Sequence, residues 1–297
     1  MKIVGINKET CIKCLECVRG CPIRLYHSPP TENEKNKEVI FDNRYNQCII
    51  CGHCISICPT NSILYESEEL ASEFEEAKDP GSIINFENMM KVLKSRRSVR
   101  RYKDKPVPRE DIEAILEAMR YAPSASNMQS WKYIVIFNKE SIKRLIELVG
   151  GLMIKIQKIL KFAKFLKPII PKKIKQRALD PGTKISVNNF IKQLDNGEDP
   201  VFYGAPVVII TYAPKYGSMA PNDAGIALTY GMLAAQSRNL ATCWIGMAQE
   251  AIKRSKETRK WLKIPKNHKV NGVLIVGYPA VKFYRTPPRK PLNIKWD

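Results

Sequence analysis

The sequence predicts an α+β protein in two parts, a small cysteine-rich N-terminal domain and a larger domain in which a sheet is flanked by helices. Two observations carry this. Eight of the nine cysteines fall in the first 58 residues, in two runs of identical spacing. The rest of the chain mixes helical and strand patterns, with a nearly unbroken apolar run at residues 206–212. A length of 297 residues allows more than one domain. With 44% hydrophobic and 26% charged residues, a sizeable core is available.

The cysteine runs are Cys11-x2-Cys14-x2-Cys17-x3-Cys21-Pro22 and Cys48-x2-Cys51-x2-Cys54-x3-Cys58-Pro59. This is the spacing of bacterial two-cluster ferredoxins. Three thiolates set three positions apart can wrap one face of a cube. The fourth lies past a short turn, is redirected by the following proline, and reaches the neighbouring cube. The expected pairing is Cys11, Cys14, Cys17 and Cys58 on one [4Fe–4S] cluster, and Cys48, Cys51, Cys54 and Cys21 on the other. Zinc sites use CxxC pairs but not two such runs. Disulfides belong to oxidising compartments, and Met1 to Ile6 is too short for the apolar core of a secretory signal. No apolar run approaches the roughly 18 residues of a spanning helix. A reducing, cytoplasmic setting is therefore expected. Residues 22–47 read as a spacer, with a polar surface loop over Thr31 to Glu38. His53 sits between two ligands and reads as a solvent-facing spacer.

The formal charge is +20. Such a surplus permits acidic partners such as small ferredoxins, an anionic membrane surface, or nucleic acid. No nucleic-acid-binding motif is visible, so that partner is not expected, and a solvated basic surface accounts for the charge as well.

The first domain is expected over residues 1–66, closed by a strand at Ile63 to Tyr65. An acidic and polar linker follows at 67–81, ending in Asp79-Pro80-Gly81. The second domain is expected over 82–297. Phe86 to Lys94 reads as a helix. Pro108 to Tyr121 reads as another, with proline in its first turn and Ile112, Ile115, Leu116 and Met119 on one face. Tyr133 to Phe137, Pro206 to Tyr212 and Val273 to Val276 read as strands, the second of them central because it is apolar throughout. Asp223 to Leu240 reads as a small-residue helix. Residues 152–167 read as a basic amphipathic helix stopped by Pro168 and Pro171, packed on the fold or closing over a site; a membrane-surface helix would share the pattern, but membrane association is not expected.

Three separated segments suggest what the second domain binds. The first is Ser95-Arg96-Arg97-Ser98-Val99-Arg100-Arg101-Tyr102, whose guanidinium groups suit phosphate. The second is Pro123 to Trp131, where Ser124, Asn127 and Gln129 offer donors and acceptors suited to the edge of a flavin ring. The third is Leu240 to Gly246, where Gly246 would let backbone approach a flat ring; taken alone, it reads as an ordinary helix-to-strand connection. In this order the segments resemble the FMN-dependent nitroreductase family over residues ~86 to 290, and the whole chain resembles a ferredoxin–nitroreductase fusion.

The resemblance implies a small two-cluster ferredoxin-like domain joined to a nitroreductase-like sheet flanked by helices. It also implies a homodimer with FMN at the dimer interface. Arg96, Ser98 and Arg100 would bind the FMN phosphate or ring edge. Ser124, Ala125 and Asn127 would contact FMN from the other subunit, supported by Gln129, while Ile245 and Gly246 would lie by the ring. Arg289 best matches the late basic residue that grips the phosphate, with Arg285 the second choice. Segment 140–200 matches no usable family pattern. Cys243, the ninth cysteine, reads as a buried small hydrophobe.

The expected function is an iron–sulfur flavoprotein oxidoreductase. Electrons would pass between two [4Fe–4S] clusters and FMN to a small nitro, quinone or activated-alkene acceptor, with ferredoxin or NAD(P)H as candidate donor. No side-chain acid or base stands out as obligatory. The alternative is an electron-transfer adaptor between ferredoxin-like carriers and a protein partner, with no organic substrate of its own.

Overall fold

A computed structural model describes residues 1–30, 38–162, 179–216 and 219–297. The chain divides into two compact units. One comprises Met1–Asn85 with Ala125–Met128, the other Phe86–Ser124 with Gln129–Asp297.

In the first unit β1 (Lys2–Ile6), α1 (Glu16–Gly20), β2 (Tyr26–His27), β3 (Ile40–Phe41), α2 (His53–Ile57) and β4 (Ile63–Glu66) follow in order. The strands form two antiparallel ladders, β1 with β4 and β2 with β3. Ile3, Leu25, Tyr26, Val39, Ile55 and Ile63 make a small core. The cysteine runs repeat at an offset of 37 residues, Cys11 onto Cys48, and α1 repeats as α2 at the same offset. Lys13, Leu15 and Arg24 hold left-handed φ, and so do their counterparts Ile50, Gly52 and Asn61. Most of the surface loop expected at Thr31 to Glu38 lies outside the described residues. The stretch 67–81 contains the 3-10 turn Glu75–Lys78 and the start of a second, Pro80–Ser82.

The second unit runs through α3 (Phe86–Ser95), α4 (Arg109–Arg120), β5 (Lys132–Ile136), α5 (Lys139–Lys161), α6 (Pro181–Asp195), β6 (Val207–Pro214), α7 (Ala220–Ser237), β7 (Ala241–Trp244), α8 (Gly246–Arg254), α9 (Lys256–Trp261) and β8 (His268–Gly277). The sheet order is β5-β6-β8-β7, antiparallel throughout. Alternate residues of the inner strands serve opposite faces. Val208, Ile210, Val273 and Ile275 join a core with Leu145, Val149, Phe190 and Ile252 of α5, α6 and α8. Val207, Ile209, Leu274 and Val276 face Ile112, Ile115, Met119 and Leu228 of α4 and α7. Burial on both faces explains why β6 reads as unbroken apolar sequence.

Three details differ from expectation. The helix expected from 152 is the end of α5, which starts at Lys139 behind Asn138, whose side chain caps the Ser141 N–H at 2.8 Å. Leu160 and Ile156 pack on Val187 and Ile191 of α6; residues 163–167, Pro168 and Pro171 lie outside the described residues. Pro108 stands at the cap position of α4, one residue before its first turn. Residues 241–244 are not a connection but the edge strand β7, because their backbone pairs with β8 from Gly277 to Leu274. No described helix is long and apolar enough to cross a membrane.

Candidate functional sites

Cys11, Cys14, Cys17 and Cys58 line one small cavity of the first unit, about 20 Å³ in volume. Cys21, Cys48, Cys51 and Cys54 line another of about 20 Å³. These are the two sets expected from the spacing. Among the described residues, no three His, Cys, Asp or Glu side chains converge on one point as ligands of a single ion do. The four thiols of each quartet border one shared cavity.

The local backbone turns to make this arrangement. Left-handed residues bend the chain between the first three cysteines of each run. After the fourth, a backbone N–H returns to the sulfur: Leu25 N donates to Cys21 Sγ at 3.3 Å, and Ser62 N to Cys58 Sγ at 3.2 Å. Burial pushes the Cys17 thiol up to about 11, with the Cys11 and Cys14 thiols adding to the effect. Burial also raises Cys54. Burial acts upward on Cys58 too, but the N–H and hydroxyl groups of Ser62 and Thr60 outweigh it and hold that thiol below its ordinary value. A metal that takes these thiolates must therefore displace protons. His53 borders the second cavity and is exposed.

Within the same unit, Asn127 Nδ2 donates to the carbonyl of Ile50 at 2.7 Å, between Cys48 and Cys51, and reaches Ile49 O at 3.4 Å. Asn127 and Ser126 both have left-handed φ, at 52° and 50°. Ala125 accepts from the Met128 N–H at 3.1 Å, closing a single 3-10 turn.

In the second unit the first and third segments come together. Ser98 bridges Thr242 of β7 in parallel, and Val99 N donates to Thr242 O at 3.0 Å. Lys103 N then donates to Tyr278 O at 2.9 Å, and Ala280 N to Arg101 O at 2.9 Å. The basic segment is thus stitched between β7 and the end of β8. Arg96, Ser98 and Arg100 all act on the buried Cys243 thiol, which burial raises despite them. Cys243 itself is 2% exposed, in the core as expected. Arg97 Nη2 reaches Arg285 O at 3.5 Å, and Arg289 lies further along the exposed C-terminal stretch. Ile245 is buried, with its N–H on Val273 O at 2.8 Å. Gly246 opens α8 on the surface, and a side chain there would meet nothing within 4 Å. The second segment makes its own turn, with Ser124 Oγ accepting from Gln129 N at 3.0 Å.

A cavity of about 500 Å³ beside this cradle is lined by Arg96 together with Arg97, Lys103, Gln236 and Lys282. Arg97 lies in the basic segment already singled out, whereas sequence reasoning passed over Lys103, Gln236 and Lys282. Lys103 extends the basic run and Lys282 precedes Arg285, so both were within sight; Gln236 lies on α7, where no local signal marks it. Among the described residues, neither Arg96 nor Arg100 has a carboxylate within ion-pair distance.

The nitroreductase family model matches residues 93–278, and a 4Fe-4S dicluster domain model matches residues 3–59. An FMN reductase [NAD(P)H] of Bacillus subtilis is 30% identical over 69% of this chain and 72% of its own length. A putative NADH dehydrogenase/NAD(P)H nitroreductase of Archaeoglobus fulgidus is 26% identical over 69% of this chain and 94% of its own. The crystal structure of a nitroreductase with bound FMN from Bacteroides fragilis superposes with a TM-score of 0.51 at 26% identity, covering 69% of this chain and 97% of that one. The chain therefore belongs to the nitroreductase family of FMN-dependent oxidoreductases, and it carries a 4Fe-4S dicluster ferredoxin domain ahead of the family domain.

Proposed function

We propose that this protein is an iron–sulfur flavoenzyme that passes electrons between two [4Fe–4S] clusters and FMN and reduces a small nitro, quinone or activated-alkene acceptor. The observation that carries the reading is the pair of four-cysteine cavities, alike in size and built on one repeat, in a chain with a nitroreductase domain. When bound, the clusters supply single electrons and FMN collects them in pairs for the acceptor.

The residues fit these groups. Each cysteine quartet borders one cavity and receives a backbone N–H on its fourth sulfur, a donor that favours the thiolate. Arg96, Ser98 and Arg100 would hold the FMN phosphate or ring edge, with Arg285 or Arg289 closing on the phosphate; cations without carboxylate partners suit an anion. Ile245 and Gly246 would lie along the ring, and the open space at Gly246 leaves room for it. Ser124, Ala125, Asn127 and Gln129 would serve the flavin of a second copy in a homodimer. The +20 charge supports docking of an acidic ferredoxin as donor, with NAD(P)H the other candidate. Thiolate ligation calls for a reducing compartment, the cytoplasm.

The test is anaerobic. Reconstituted protein should hold about eight irons and FMN, and flavin absorbance should bleach at a catalytic rate once the clusters are reduced by dithionite, NADH, NADPH or reduced ferredoxin. Reduced clusters that leave FMN oxidised on any catalytic timescale would rule the path out. Salt-sensitive ferredoxin oxidation with every small organic oxidant refused would favour the adaptor reading.

A further inference from the structure

The two cysteine cavities share a backbone but not a lining. Thr60 and Ser62 of the first correspond, 37 residues apart, to Ile23 and Leu25 of the second, and Ile63 corresponds to Tyr26. Each cavity therefore has hydroxyl groups, but from different positions. In the first, Thr60 Oγ1 stands 3.9 Å from Cys58 Sγ and bonds Ser62 Oγ at 2.8 Å, which accepts in turn from Thr10 Oγ1 at 2.9 Å. In the second, the fourth cysteine has apolar neighbours, and the hydroxyl is that of Tyr26.

Tyr26 is 3% exposed, on β2, with its ring tilted on Phe41 at 5.0 Å between centroids. Its hydroxyl oxygen is buried and lacks a hydrogen-bond partner among the described residues. A buried hydroxyl without a partner destabilises a fold, so it calls for an acceptor. Tyr26 and Cys54 line the same small cavity and belong to the same core cluster. Tyr26 is held rigidly by the pairing of β2 with β3 and by Phe41, so its hydroxyl cannot turn to solvent.

We propose that the Tyr26 hydroxyl donates a hydrogen bond to the Cys54 thiolate when the second quartet holds its cluster, and so tunes that cluster independently of the first. This rests on the reading of both cavities as cluster sites. A donor to a ligand sulfur favours the more negative, reduced form, and a dry site strengthens it. Thr60 plays the matching part for the first cluster from the side of Cys58. The same backbone thus carries two sites whose potentials respond to separate residues.

The test uses the reconstituted full-length holoprotein in an anaerobic redox titration followed by electron paramagnetic resonance. Tyr26→Phe deletes one oxygen and keeps the ring. It should lower one cluster midpoint by about 59 mV, a tenfold change in the oxidised-to-reduced ratio for one electron, and leave the other in place. Thr60→Val should lower the other midpoint only. Tyr26→3-fluorotyrosine, a stronger donor of nearly the same size, should raise the midpoint that Tyr26→Phe lowers, and it reports on the bond even where the phenylalanine variant loads iron poorly. The proposal is overturned if neither tyrosine replacement moves a midpoint, or if both midpoints move together. An iron content well below about eight per chain in the parent protein would instead sink the cluster reading itself.

Discussion

Replacing Gly277 by alanine tests whether the basic cradle is held in place by packing behind it. A Cβ at this position would stand 2.7 Å from Pro206 Cδ and 2.8 Å from Tyr102 Cδ1, whereas carbon atoms rest about 3.5–4.0 Å apart. The Pro206 ring is rigid and leads directly into β6, so Tyr102 is the group that must yield, by roughly 0.7 Å. Tyr102 is tied to the cradle: its hydroxyl donates to Val99 O at 2.8 Å, and Val99 N donates to Thr242 O at 3.0 Å. The same displacement would carry that second bond beyond about 3.5 Å, where it no longer counts as one. Overpacking of this kind costs about 1–2 kcal/mol at the lower end of its range, and the lost bond about 1 kcal/mol. At about 2–4 °C per kcal/mol for a unit of this size, the melting midpoint of the second unit should fall by roughly 4–12 °C. FMN affinity should weaken about tenfold, equivalent to about 1.4 kcal/mol, as Ser98 and Arg96 lose their anchorage. The assay pairs thermal unfolding of flavin-loaded protein with fluorescence titration of FMN into flavin-depleted protein. A midpoint within about 1 °C of the parent (well under the shift of a single kcal/mol) and an unchanged affinity would refute the reasoning.

Arg96→Gln should weaken FMN binding about 10- to 100-fold, from the roughly 1.5–3 kcal/mol of a hydrogen bond to a charged group; equal affinities in a fluorescence titration would put the phosphate elsewhere. Cys58→Ala should reduce the iron from about eight to about four per chain, whereas Cys243→Ala should leave iron and flavin in place and cost only core packing. Loss of iron in the second variant would contradict the division into eight ligands and one packing residue. Asp180 caps α6 by accepting from Thr183 N at 2.8 Å, and that bond, with the Thr183 hydroxyl, lowers its carboxyl pKa. Its contribution is complete above the ordinary value of 3.8 and fades as pH falls through the lower folded value. Asp180→Asn keeps an acceptor and should flatten acid unfolding of this helix, followed by circular dichroism; an unaltered acid profile would exclude the cap as its source.

The cysteine quartets were legible because two runs of identical spacing point to an exchange of their fourth cysteines. The face of α4 was legible because Ile112, Ile115 and Met119 keep helical period. What escaped depended on distant partners. Glycine costs about 1 kcal/mol inside a helix, yet α5 continues through Gly150 and Gly151. A Cβ at Gly150 would stand 2.9 Å from Leu194 Cδ1, so the missing side chain is what lets α6 pack closely. β7 is four residues long and has strand character only because β8 pairs with it. No local pattern marks Tyr26, which shares a cavity with Cys54 of the other repeat only once the unit is folded. The first and third segments were legible singly, but their joining through Thr242 and Tyr278 is a matter of tertiary pairing that no local pattern announces.

The exchange of fourth cysteines between the repeats has a consequence for assembly. Cys58 completes the cavity of the first run and Cys21 that of the second, so neither repeat can finish a binding site from its own residues. A half that folds alone supplies three thiols to one cavity and a single thiol to the other. Each repeat therefore needs the other to close its own cavity.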